Sequence, residues 1–112
     1  MRISSILQNL AFIGEAEGDR RTYYVFQGSS GYVVASSNGK AALNVTMVGK
    51  DVLAGIQRRF GGREVTTSLI VHRSRRPDRF GALNALYVMV ALGAARKLRK
   101  RDGKAMVFKV KR

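Results

Sequence analysis

The sequence predicts an α+β chain in which an N-terminal antiparallel β-meander is followed by a basic unit of three helices and a β-hairpin. Three observations carry that expectation. Short alternating apolar runs, separated by Gly, Ser and Asn, fill the first 48 positions, which is strand periodicity with turn punctuation. From Lys50 through Leu92 the apolar spacing changes to three and four, as on one face of a helix. The closing stretch returns to alternation around Asp102-Gly103.

At 112 residues the chain is expected to form one compact domain, 1–112, with a β-rich part over 1–48 and a basic part over 49–112. A chain of this length buries roughly two-thirds of the surface it exposes when unfolded, so it needs no covalent staple. The lack of Cys excludes disulfides and thiolate metal sites and fits a reducing compartment, the cytoplasm or, in a bacterium, the nucleoid. Ser4, Ser5, Gln8 and Asn9 interrupt the first apolar run, which argues against a signal peptide. No stretch reaches the ~20 apolar residues of a membrane span. The expectation is a soluble, cytoplasmic protein with no membrane partner.

Taking the elements in order, Ile3, Ile6, Leu7 and Leu10 fall at helical spacing, while LAFIG reads as the start of a strand, and both readings stand. Strands are expected over LAFIGEAE, RTYYVFQ, YVVASS and KAALNVTMV, joined at GD, GSSG and Asn38-Gly39. The Asn-Gly pair is the strongest hairpin signal, because both residues tolerate the positive φ of a tight turn. Tyr23, Val25 and Gln27 alternate with Tyr24 and Phe26, so one face is buried and the other partly wet.

In KDVLAGIQRRFGG, Val52, Leu53, Ile56 and Phe60 form one stripe, Gln57, Arg58 and Arg59 face away, and Gly61-Gly62 stops the helix. VTTSLIVH predicts a second helix, capped by Thr66 or Thr67, with Leu69 and Ile70 inward. Asp78 caps a third through RFGALNALYVMVAL, with Phe80, Leu83, Leu86, Tyr87 and Val90 inward and Gly93 just past its end.

In the last element Met106, Phe108 and Val110 alternate with Val107, Lys109 and Lys111, and Leu98 is the only large apolar residue before the turn. A two-residue loop at Asp102-Gly103 would pair Leu98 with Val107. A three-residue loop with Gly103 left-handed pairs Leu98 with Met106 and Arg96 with Phe108. The second gathers the large apolar groups on one side and is the expected register. It leaves Lys97, Arg99, Arg101 and Lys104 at the edge or tip.

The 21 basic and 7 acidic residues give a formal charge of +14, which points to a polyanionic partner. Residues 1–48 hold four basic and three acidic residues, a net of +1; the remaining 17 and 4 give +13. The excess lies in the second half.

In the order and spacing of their elements, residues 50–112 resemble a winged helix-turn-helix DNA-binding domain. The resemblance runs through the helix DVLAGIQRRF, the short extended EVT, the helix TSLIV, a third helix ending in ALG, and the hairpin RKLRKRDGKAMVFKV. It covers a little over half the chain and rests on the ensemble and on Gly93 followed directly by a basic strand. It implies three helices and a β-hairpin wing, DNA binding through the third helix and the wing, and transcription regulation as a compatible role. The third helix departs from the pattern: its far face is Gly81, Asn84, Ala85, Val88 and Ala91, which offers one amide to base edges. That face is expected either to approach DNA at Asn84 or to pack on a second copy of the protein through Gly81, Ala85 and Val88.

The expected function is non-enzymatic nucleic-acid binding, duplex DNA ahead of RNA, through phosphate contacts and without a cofactor. Arg96, Lys97, Arg99, Lys100, Arg101 and Lys104 place six like charges within nine residues, which repel one another unless a polyanion pairs them. Arg73, Arg75, Arg76 and Arg79 precede or open the third helix, whose N-terminal amides add donors for a phosphate. Arg58 and Arg59 read as a solvated face. No catalytic or metal-binding set is expected: His72 stands alone, and Asp51, Glu64, Asp78 and Asp102 each read as a cap or turn residue. GSSG reads as a hairpin loop. Two other classes compete: an RNA-associated protein stacking bases on Tyr23, Tyr24, Phe26 and Tyr32, and a winged-helix module for protein contacts or dimerisation. The near-neutral charge of the first half argues against a nucleic-acid surface there.

Overall fold

A computed structural model describes residues 10–18, 20–37, 43–74 and 78–112. Residues 3–9 of the opening helical reading and the Asn38-Gly39 turn lie outside the described residues, and Leu10 stands just before the first strand. Within them the chain is α+β, and the first half is an antiparallel meander. Strands β1 (Ala11–Glu17), β2 (Thr22–Gln27), β3 (Gly31–Ser37) and β4 (Leu43–Gly49) pair in that spatial order. The pairing is antiparallel throughout, with a bulge in β1 between Phe12 and Gly14. The turn between β1 and β2 closes with the Gly18 amide donating to the Arg21 carbonyl at 2.9 Å.

Strand alternation puts Ala16, Tyr23, Val25, Tyr32, Val34 and Val48 on one face. That face enters the hydrophobic core.

The second half begins directly after β4. Helix α1 (Lys50–Phe60) buries Ile56 and Phe60 and exposes Arg58 and Arg59, the stripe its sequence predicts. It stops at Gly61, whose amide donates to the Gln57 carbonyl, and Gly62 takes the left-handed φ of +83°. A two-residue strand, β5 (Glu64–Val65), leads into α2 (Thr67–Ser74), where the Thr66 hydroxyl caps the Leu69 amide at 3.2 Å. Helix α3 (Arg79–Ala91) starts at Asp78, whose carboxylate accepts from the Gly81 amide at 2.7 Å. It ends in a Schellman arrangement: Gly93, at φ +79°, donates to Val90, and Ala94 donates to Met89. Gly93 turns the chain straight into β6 (Ala95–Asp102), which returns as β7 (Ala105–Val110).

These last strands form a second sheet in the order β5-β7-β6, so the short strand between the first two helices pairs with the returning arm of the hairpin. The hairpin register differs from the expected one. Arg96 lies opposite Lys109 and Lys97 opposite Phe108, while Arg101 faces Met106 and Asp102 faces Ala105. The loop is therefore the two residues Gly103 and Lys104, with Gly103 at φ +62°. The surplus residues sit in the strand instead: Leu98, Arg99 and Lys100 face only Val107, so β6 carries a bulge. A register argued from loop length alone has no place for that bulge.

Helix α3 departs further. Phe80, expected inward, is 55 % exposed, whereas Ala85 and Val88, expected outward, are fully buried. Both sides of the helix are covered, one by the four-stranded sheet and the other by α1, α2 and β6. A helix apolar all round belongs in a core. The signal was in the sequence: no charged residue stands between Arg79 and Arg96. Tyr87 joins the two sides, stacked on Tyr23 of β2 and meeting Phe108 of β7 edge-on. One apolar core thus runs from sheet to sheet through α3. Among the described residues no helix is long and apolar enough to cross a membrane.

Candidate nucleic-acid interface

β6 is an outer strand of its sheet, which leaves one backbone edge open. Ala95 is buried and anchors its start; beyond it Arg96, Arg99, Lys100 and Arg101 are exposed, as is Lys104 in the turn. The bulge explains why consecutive cations can all face water. A regular strand would send every second side chain to the core face, but Leu98–Lys100 leave the ladder. The bulged segment reaches over Val107 toward β5, where Lys100 forms an ion pair with Glu64 at 2.5 Å. A cleft of about 420 Å³ opens there, with Val65, Leu69 and Val107 as its apolar floor and Glu64, Lys100 and Arg101 on its rim.

Two cations of β6 have defined neighbours. Lys97 is half-buried and its ammonium lies 3.5 Å from the Glu17 carbonyl, tying the hairpin to the end of β1. Arg96 sits opposite Lys109, whose ammonium donates to the Gly62 carbonyl at 2.8 Å. Like charges facing each other across a ladder destabilise it, and an anion over that pair would relieve the repulsion. Lys109 falls in an alternating strand eight residues from Arg101, so the crowding that marks the other basic residues of the hairpin does not extend to it.

The arginines before α3 are partly committed within the fold. Arg73 is exposed near the end of α2, and its carbonyl accepts from the Arg59 guanidinium at 2.8 Å, a cation at a helix C-terminus. Arg79 is exposed and donates to the Ser68 hydroxyl at 2.9 Å. Ser68 lies in the same first turn of α2 whose Thr66 and Leu69 line the cleft beside Lys100 and Arg101. Arg79 thus bonds to the helical turn that borders the cleft beside the hairpin. Arg75 and Arg76 lie outside the described residues. The α3 N-terminus is occupied by Asp78, so a phosphate placed there would face a carboxylate.

Two expectations are corrected. Asn84 is 2 % exposed and its amide donates to the Phe80 carbonyl at 2.9 Å, which removes it from any contact with DNA. Ala85 and Val88, expected with Gly81 to join two copies, are fully buried in the core of their own chain and are closed to a second copy. The aromatic set also divides. Tyr23 and Tyr32 turn inward, and Tyr24 and Phe26 turn outward with Phe12. Among the described residues, no three His, Asp or Glu side chains converge as metal ligands. No protein-family model matches the chain, and neither does any curated protein or solved structure.

Proposed function

We propose that residues 49–112 form a winged-helix unit and that the protein binds duplex DNA without catalysis, through phosphates held by the β6–β7 wing. The order helix, short strand, two helices and hairpin, with the short strand paired to the returning arm, supports the first part. The observation that carries the second is the bulged outer strand, which turns Arg96, Arg99, Lys100 and Arg101 to solvent along one edge, with Lys104 at its tip. Arg73 on α2, and Arg79 at the start of α3 and bonded to Ser68 of α2, extend that surface. Base reading by α3 has no support, because its one amide, Asn84, is buried. The contact is then positional and electrostatic, and sequence preference is modest. The inward turn of Tyr23 and Tyr32 leaves the RNA-stacking alternative without two of its rings.

The test is a salt titration of binding between the full chain and a short duplex. With about five phosphates neutralised, log affinity falls against log salt with a slope of roughly −4 to −5. Replacing Arg99, Arg101 and Lys104 by Ala should weaken binding and make the slope shallower by about one per lost contact. Binding indifferent to salt or to these substitutions would sink the reading, as would a single-stranded RNA that outcompetes the duplex.

A further inference from the structure

The face of the four-stranded sheet turned away from α3 is largely apolar, and five of its large side chains stand exposed. Register sets two cross-strand rows on it, Phe12–Phe26–Val33–Met47 and Tyr24–Ala35–Val45. Phe12 and Phe26 meet edge to face at 5.5 Å. Phe12, Tyr24, Leu43, Val45 and Met47 are each between 41 % and 68 % exposed. At about 200 Å² per large side chain they offer on the order of 500–600 Å². That is near the upper end of what a monomer leaves uncovered, and approaches the ~800 Å² per partner of a standard interface.

The charges choose the occupant. The carboxylates of this face are Glu15, opposite Tyr24, and Glu17, opposite Thr22, and the two rows contain neither Lys nor Arg. Rings that stack nucleic-acid bases need cations beside them for the phosphates, so a protein suits this surface better. For a second copy of this chain the same charge map is permissive. Residues 1–48 carry a net of +1 against +13 for the rest, so two copies meet here with the least repulsion. The outer strands differ in the same sense. β1 and β6 each carry a bulge and charged side chains, which block association, while β4 has no charge from Leu43 to Gly49.

We propose that this face is the interface between two copies of the chain, packed sheet on sheet about a two-fold axis with Val45 and Met47 near its centre. The wings then lie on the outside of the pair. The proposal does not depend on DNA binding, and either can fail without the other.

Sedimentation equilibrium of the full chain through the micromolar range, in salt that screens the basic half, tests it. The expected result is a monomer–dimer equilibrium that Val45→Glu with Met47→Glu weakens by roughly a hundredfold or more. The circular dichroism spectrum should stay unchanged, and Arg99→Glu on the wing should leave the equilibrium as it is. A chain that remains monomeric at hundreds of micromolar overturns the proposal and leaves the face to residues 1–9 or to a different protein. A dimer indifferent to both β4 substitutions overturns it too. So does a monomer that binds a single-stranded oligonucleotide and loses it on Phe12→Ala with Tyr24→Ala.

Discussion

The ring of Tyr87 lies 4.1 Å from that of Tyr23 at an interplanar angle of 20°, and Phe108 approaches Tyr87 edge-on at 5.8 Å. The Tyr87 hydroxyl donates to the Met106 sulfur at 3.5 Å. One side chain of α3 therefore couples the meander to the basic hairpin. Tyr87→Ala should cost about 3–5 kcal/mol, and a double-mutant cycle with Tyr23→Ala should return a coupling of about 0.5–1.5 kcal/mol. Urea unfolding followed by circular dichroism checks both. A single transition is expected, since the core is shared, and two separate transitions would count against that sharing.

Glu64 and Asp102 are the carboxylates lining the cleft beside the hairpin, and the Glu64 pair with Lys100 is exposed on both sides. Exposed pairs of this kind contribute about 0–1 kcal/mol. Glu64→Gln should therefore change stability little while freeing Lys100 and removing a negative charge from the surface. Duplex affinity should rise about three- to tenfold at low salt, with a slope steeper by up to about one. Weaker binding by this variant would place the contact elsewhere.

Asn84 separates the two halves of the winged-helix resemblance. Its buried amide donates to the Phe80 carbonyl, so Asn84→Ala should lower stability by about 1 kcal/mol. In the folded variant the dissociation constant should stay within about twofold and the salt slope should hold. A variant that folds normally and loses duplex binding selectively would put α3 back at the contact.

The ends of α3 allow a fourth prediction. Asp78→Ala removes the bond to the Gly81 amide and should cost about 1 kcal/mol. Gly93→Ala forces a side chain into φ +79° and should cost about 1–2 kcal/mol. Thermal melts read both, and the second should be the more damaging to the β6–β7 hairpin, since Gly93 sets the angle at which β6 leaves the helix.

Much of this architecture was legible in the residues, because the signals were local. Alternation gave the strands, the stripe of Val52, Leu53, Ile56 and Phe60 gave α1, and Asp78, Thr66 and Gly93 marked helix ends through their own backbone chemistry. What was misread depended on partners distant in the chain. The buried side of α3 could not be chosen without knowing that a sheet covers it. An amphipathic reading was imposed on a helix whose lack of charge already indicated burial on both sides. The hairpin register failed for a related reason. Loop chemistry fixes the tip, but the bulge at Leu98–Lys100 reflects Lys100 meeting Glu64 and Val107 being covered, neither of which neighbours it in sequence. Of the candidate surface, the basic residues of the hairpin were conspicuous by their crowding. Glu64 and Lys109 were not, because one stands alone in the chain and the other is spaced like a strand residue.

On the proposal that the hairpin binds duplex DNA, the burial of α3 also bears on how the protein could be redirected to new targets. Where a reading helix lies in a groove, exchanging its surface residues changes the sequence preferred. Here every exchange along Ala82–Met89 would be a change to the core. Retargeting would have to work on the two-residue tip between Asp102 and Ala105, whose length can vary without disturbing a packed side chain. A library of longer or differently charged tips is thus the natural engineering handle.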